Sequence, residues 1–197
     1  MEYTINKTTR NSIIFCSSLI ILHVLITRLL FLFDTPTTID RSEQLIRNVI
    51  YLIPFGYLMF VFHGYFKHYR LKVLQISIFL IFTMEVFLKS TLFKNMFEST
   101  IIKTIFLIAS AIWIIATIFL IIFLFKSKIK KLPGITYIQM YAISIILIYI
   151  LATPIPFYVQ RENILKTQLL VGLTNVIPYV FTLIFALKLK IKNKTSS

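Results

Sequence analysis

Residues 101–125, "IIKTIFLIASAIWIIATIFLIIFLF", contain Lys103 as their one charged residue. A run of this length satisfies the about 17–25 predominantly apolar residues that an α-helix needs to cross a bilayer. Its apolar residues are continuous, whereas a strand of a membrane β-barrel alternates apolar and polar residues. The stretch therefore predicts a transmembrane helix and favours an all-α, polytopic membrane protein.

The composition of the whole chain agrees with this class. Of its 197 residues, 58% are hydrophobic and 14% are charged, whereas soluble domains average about 45–50% apolar and about 25% charged residues. No linker rich in Pro, Gly or Ser divides the chain, which favours a single domain over residues 1–197. Cys16 is the single cysteine, so an intramolecular disulfide is excluded.

Hydropathy predicts six transmembrane helices, with short loops between them. The predicted spans are residues 12–33, 49–66, 73–93, 104–125, 135–159 and 169–187.

The distribution of charge predicts the orientation of these helices. Thirteen of the 21 basic residues precede the first span, lie in the second or fourth loop, or follow the last span. Cytoplasmic loops carry the excess of Lys and Arg, so both termini are predicted to be cytoplasmic. We interpret these cations as contacts to anionic membrane lipids that retain and orient the protein. Nucleic-acid binding is not expected, because the chain lacks a soluble basic surface with reading elements.

Three charged residues lie within the predicted spans, in the outer half of the bilayer: Arg28, Glu85 and Lys89. A charge inside the membrane is costly and marks a functional candidate. Glu85 precedes Lys89 by four residues, the order that favours an ion pair along one helical face, and Arg28 could reach the same carboxylate from a neighbouring helix. The alternative is that both cations only extend their charged ends to the outer interface.

Residues that disturb helices cluster at the same depth as these charges. A proline removes a backbone donor and frees a carbonyl, which is tolerated in lipid only where protein, polar side chains or a wet cavity satisfies it. A groove that opens to the outside explains the cluster; the alternative is that prolines are simply common in transmembrane helices. The residues are Asn48, Pro54, Gly56, Pro154, Pro156, Gly172, Thr174, Asn175 and Pro178.

The sequence contains no recognisable set of metal ligands or catalytic residues. His23, His63 and His68 lack the four-residue spacing of a helical metal pair. Cys16 lies seven residues before His23, about two helical turns away, too far for a nucleophile and its base. We therefore expect no metal, no cofactor and no enzymatic activity.

Residues 48–56, "NVIYLIPFG", resemble the signature of VanZ-like membrane proteins, in which a helix begins roughly Asn-x-x-x-Phe-x-Pro-x-Gly. Asn48, Pro54 and Gly56 match, and Leu52 replaces the phenylalanine. The next helix of that family carries a glutamate in a Ser-Leu-x-x-Glu-x-x-Gln pattern, and Glu85 in "IFTMEVFL" takes its place.

The chain departs from the family elsewhere in residues 48–112, where the resemblance lies. Leu88 occupies the position of the glutamine, and the aspartate, asparagine and glycine of the following helix are absent. The resemblance implies a protein of the bacterial cytoplasmic membrane that contributes to low-level tolerance of teicoplanin-type glycopeptides. Its outward groove would contact a lipid, a lipid-linked wall precursor or an amphiphilic antibiotic, with Glu85 as polar anchor.

Two other functions remain open at this point. Six short-looped helices also suit an immunity protein against an antimicrobial peptide, or the membrane-embedded binding subunit of a small-molecule transporter. A neighbouring gene for a peptide precursor would favour the first, and a neighbouring ATPase gene the second. The sequence does not identify a protein partner.

Overall fold

The computed structural model describes residues 3–33, 41–89, 100–126, 128–152 and 171–191, and these residues are predominantly helical. In chain order the elements are β1 (Thr4–Ile5), α1 (Lys7–Phe33), α2 (Arg41–His68), α3 (Lys72–Lys89), α4 (Thr100–Leu124), α5 (Ile135–Ala152), α6 (Ile177–Lys188) and β2 (Lys190–Ile191). A helical segment at 171–174 precedes α6.

Four helical segments within the described residues are long and apolar enough to cross a membrane: Lys7–Leu29, Leu45–His68, Thr104–Leu124 and Val171–Lys188. The predicted class, a helical membrane protein, is confirmed to this extent. The six-span count stays a prediction. The predicted spans at α3 and α5 are not among these four. Helix α3 has 18 residues and carries Lys72, Glu85 and Lys89, and the apolar helix in α5, Ile135–Ile150, is shorter than the four.

The outer surface of these helices is that of a protein surrounded by lipid. Large apolar side chains such as Phe60, Ile53 and Leu107 are 71%, 70% and 67% exposed. So much exposed apolar surface is rare on a soluble monomer, whereas lipid tails solvate it as well as a protein core does. Because lipid offers no hydrogen bonds to the backbone, even these Ile- and Phe-rich segments form helices.

The chain divides into two compact units. We call residues 37–126 the central unit and residues 1–36 with 127–197 the terminal unit, and we describe each by itself. In the central unit, α3 packs against both α2 and α4. In the terminal unit, α6 packs against both α1 and α5.

A tight turn joins α2 to α3 in the central unit. The amide of Leu71 donates to the carbonyl of Phe66 at 2.9 Å, and the amide of Arg70 donates to the carbonyl of Lys67 at 3.1 Å. These two bonds form a Schellman motif, which satisfies carbonyls at the end of a helix and requires a left-handed residue. Arg70 is that residue, with φ 56°, although glycine is usually found at this position.

We expect Arg70→Gly to stabilise the protein by about 1 kcal/mol, because a side chain in the left-handed region costs roughly 1–2 kcal/mol that glycine avoids. The midpoint of unfolding in detergent micelles, followed by the fluorescence of Trp113, measures the change. Arg70→Ala is the control, since it removes the charge but keeps the Cβ. An equal gain in both variants would assign the effect to charge and contradict the backbone explanation.

The helices α1 and α6 of the terminal unit are antiparallel. Strand β1 pairs with β2 in parallel, Thr4 opposite Lys190 and Ile5 opposite Ile191, so the start of α1 lies beside the end of α6. Further along, the hydroxyls of Ser17 and Thr182 are 2.6 Å apart. Both side chains are buried, so this hydrogen bond joins the two helices where no water competes.

The helix α5 also runs antiparallel to α6. Gly134, just before α5, lies against the ring of Phe185 and against Leu189. Near the start of α6, the rings of Tyr141 and Tyr179 meet edge to face, with centroids 6.2 Å apart. The starts of α1 and α5 and the end of α6 therefore lie together at one end of the terminal unit.

Candidate functional site

In the central unit, the side chain of Asn48 joins α2 to α3 at the end of the helix pair that lies away from their connecting turn. Its Nδ2 donates a hydrogen bond of 2.6 Å to the carbonyl of Lys89, the last residue of α3. The last carbonyls of a helix have no partner within it, so Asn48 of one helix caps the end of the other. Asn48 is therefore held beside the helix that carries Glu85.

A charged pair lies next to this cap. Lys89 Nζ is 3.6 Å from Glu85 Oε1, and the side chains are 37% and 15% exposed respectively. The same ammonium lies 4.5 Å from the centroid of the Tyr51 ring, within the range of a cation–π contact. Lys89 therefore has an anionic and an aromatic neighbour and still presents part of its surface to the surroundings.

Sequence reasoning identified Asn48, Glu85 and Lys89 but missed Tyr51. The sequence feature that could have identified Tyr51 is its position three residues after Asn48, which places both side chains on the face of α2 that meets α3. The ring of Tyr51 also stacks on that of Phe55, with centroids 5.4 Å apart and an angle of 15° between the planes. The stack fixes the aromatic face on which the ammonium rests.

The two helix-disturbing residues of α2 lie one to two turns further along. Pro54 is buried inside the helix. Gly56 faces the ring of Phe82 in α3, and a Cβ at Gly56 would lie 3.0 Å from Phe82 Cε2. The glycine thus lets an aromatic ring pack close to the backbone of α2. It brings the two helices together below the polar cluster of Asn48, Tyr51, Glu85 and Lys89.

The remaining candidates, Arg28 and Asn175, belong to the terminal unit. The guanidinium of Arg28 crosses Gly172, where a Cβ would lie 2.6 Å from Arg28 Cζ. Asn175 Nδ2 donates to the carbonyl of Gly172 at 3.1 Å, and the turn at 175–176 separates the segment 171–174 from α6. Pro178 lies in the first turn of α6, where its missing donor costs least.

The predicted site residues are therefore held in two separate sets. Asn48, Pro54, Gly56, Glu85 and Lys89 are in the central unit; Arg28, Gly172 and Asn175 are in the terminal unit. The ion pair of Glu85 seen in the described residues is with Lys89. That Arg28 also reaches Glu85 stays a prediction, and Pro154 and Pro156 lie outside the described residues.

We also considered metal-binding side chains and the cysteine thiol in the part of the chain that the structure describes. Within it, no three His, Cys, Asp or Glu side chains come together as metal ligands would. Cys16 is a free, half-buried thiol.

Fold and site together define a helical membrane protein with a polar cluster at the ends of two packed helices. Comparison of the chain with protein-family models, curated proteins and solved structures finds no match.

Proposed function

We propose that this chain is a VanZ-like protein of the bacterial cytoplasmic membrane that contributes to low-level tolerance of teicoplanin-type glycopeptides. In this proposal the outer ends of α2 and α3 bind a lipid or another amphiphile. One observation carries it: the hydrogen bond from Asn48 to the carbonyl of Lys89 joins the two motifs of the resemblance. Residues 41 positions apart in sequence meet in one cluster.

The chemistry of the cluster suits an amphiphile with an anionic group. Lys89 is 37% exposed, whereas its partner Glu85 is 15% exposed, so a ligand meets the cation more readily than the carboxylate. A carboxylate or phosphate could accept a charge-assisted hydrogen bond from Lys89 Nζ. Ile46, Val49 and Ile53 of α2 present exposed apolar side chains along the same helix, against which an acyl chain could lie.

The topology that we propose has six spans with both termini in the cytoplasm. The antiparallel arrangement of α1 and α6 supports this, because it brings the described ends of the chain to the same end of the terminal unit. The turn between α2 and α3 carries Lys67, Arg70 and Lys72, as the positive-inside rule expects of a cytoplasmic loop. The Asn48 cluster lies at the opposite end of this helix pair and would therefore be external.

The proposal is tested by expressing the protein and its Glu85→Gln variant in a susceptible bacterial host. We expect the protein to raise the inhibitory concentration of teicoplanin but not of vancomycin. The variant should lose the effect at equal membrane abundance, because a neutral amide no longer holds the Lys89 ammonium in place beside Tyr51, where it would meet the ligand. Inhibitory concentrations of both drugs and of a panel of membrane-active peptides are measured in parallel.

Thr83→Val is the matched control for this test. Thr83 lies on the exposed side of α3, and its hydroxyl bonds only to the carbonyl of Phe79 one turn earlier among the contacts seen. The control variant should keep full teicoplanin tolerance. Protection against a peptide alone would contradict the proposal and favour an immunity protein, and no shift for any compound despite confirmed expression would favour a partner-dependent transport subunit.

A further inference from the structure

One end of the terminal unit gathers exposed cations from three separate parts of the chain. We call this surface the basic end; its exposed residues are Lys7, Lys128, Lys130, Lys131, Lys188 and Lys190. Pairing of β1 with β2 brings Lys190 opposite Thr4 and close to Lys7. Contact of Gly134 with Phe185 and Leu189 brings the segment that holds Lys128, Lys130 and Lys131 to the same end.

The described residues of the terminal unit contain no aspartate or glutamate. Close to the same end, Arg10 Nε is buried and has no hydrogen-bond acceptor among the residues that the structure describes. Clustered like charges repel one another and raise the local concentration of counter-ions. The basic end therefore favours a ligand that carries more than one negative charge.

Exposed apolar side chains follow within about two helical turns of the cations. Phe15 of α1 is 66% exposed, Leu187 of α6 is 58% exposed and Met140 of α5 is 43% exposed. A cationic surface bordered by exposed apolar side chains matches an anionic lipid, whose headgroup and acyl chains meet at that boundary. A soluble phosphate compound would use the cations but not this apolar border.

We infer that the basic end is a binding surface for a phospholipid whose headgroup carries two phosphates. Basic pockets between transmembrane helices are known to bind such headgroups, and here three segments supply the cations. This goes beyond the general attraction of juxtamembrane lysines to lipid, because only the folded terminal unit brings the three segments together. It does not depend on the proposed VanZ-like function, which concerns the central unit.

The test uses the full chain, purified and delipidated in a neutral detergent, and native mass spectrometry to count bound lipid. The probes are cardiolipin, phosphatidylglycerol, phosphatidylcholine and inorganic pyrophosphate. We expect cardiolipin to bind most tightly, phosphatidylglycerol more weakly and phosphatidylcholine least. The triple variant Lys128→Gln, Lys130→Gln, Lys131→Gln should bind cardiolipin about a hundredfold more weakly, from the contribution of each surface cation to lipid binding.

The matched control removes the same amount of charge from the central unit with Lys67→Gln, Arg70→Gln and Lys72→Gln, and should bind cardiolipin like the unaltered chain. An equal loss in both triple variants would show attraction by net charge and overturn the inference, as would equal affinity for phosphatidylglycerol. Displacement of cardiolipin by pyrophosphate at equal concentration would show that the ligand is a soluble phosphate compound and would overturn the inference.

The unaltered chain adds a test that needs no variant: its affinity for cardiolipin should fall as ionic strength rises.

Discussion

Gly134→Ala is expected to lower the free energy of unfolding by about 2–5 kcal/mol, the largest single effect that we predict. Two costs add at this position. Gly134 has φ 79°, where a side chain costs roughly 1–2 kcal/mol. The added methyl group would also lie 2.9 Å from Phe185 Cε2, and overpacking of a well-filled site costs about 1–3 kcal/mol. Unfolding in detergent micelles, followed by Trp113 fluorescence, gives the change.

Two further variants separate these costs. Gly56→Ala places a methyl group 3.0 Å from Phe82 Cε2 in a helix of ordinary backbone geometry, so it carries the steric cost alone and should be milder. Phe185→Leu combined with Gly134→Ala forms a double-mutant cycle. A favourable coupling between the two substitutions measures the steric part. If Gly134→Ala were no worse than Gly56→Ala, the backbone cost that we assign to the left-handed conformation of Gly134 would be wrong.

Lys89→Glu is expected to cost about 2 kcal/mol and to abolish any glycopeptide tolerance that the protein confers. The substitution places two carboxylates four residues apart on α3, which repel each other in a partly buried setting. It also removes the contact of the ammonium with Tyr51, worth about 0.5–1 kcal/mol at an exposed site. The hydrogen bond from Asn48 reaches the backbone carbonyl of residue 89, so the cap itself survives the change.

The charge-swapped variant Glu85→Lys with Lys89→Glu is the control for this prediction. It restores an ion pair in the less favourable order and leaves Tyr51 without its cation at position 89. We expect the swap to recover part of the lost stability but not tolerance, because the cation has moved one turn along α3 from Tyr51. Full recovery of tolerance would mean that any ion pair suffices, and the role assigned to the exposed Lys89 ammonium would be wrong.

The ion pair and the helices could be predicted because they depend on residues close in sequence. Glu85 and Lys89 are one helical turn apart, so the geometry of a single helix brings them together. Four of the predicted spans correspond to helices long and apolar enough to cross a membrane, since lipid forces an apolar run of this length to satisfy its own backbone.

The contacts between helices could not be predicted in the same way. The amide of Asn48 could have met water, its own helix or any neighbour, and only the packing of α2 on α3 directs it to the carbonyl of Lys89. Tyr51 was overlooked because an aromatic residue in an apolar span usually indicates only packing or the interface. Gly172 was read as part of a helix disturbance, whereas it accommodates the guanidinium of Arg28 from a distant helix.

What the amino-acid sequence determined by itself is the class of the protein: a helical membrane protein with an excess of basic residues. These properties follow from composition and from local hydrogen bonding, which each segment satisfies alone. The tertiary structure decided which residues meet. It joined Asn48 to α3 and brought three basic segments to one end of the terminal unit. Lipid does not distinguish one apolar helix face from another, so close packing and a few polar contacts make that choice.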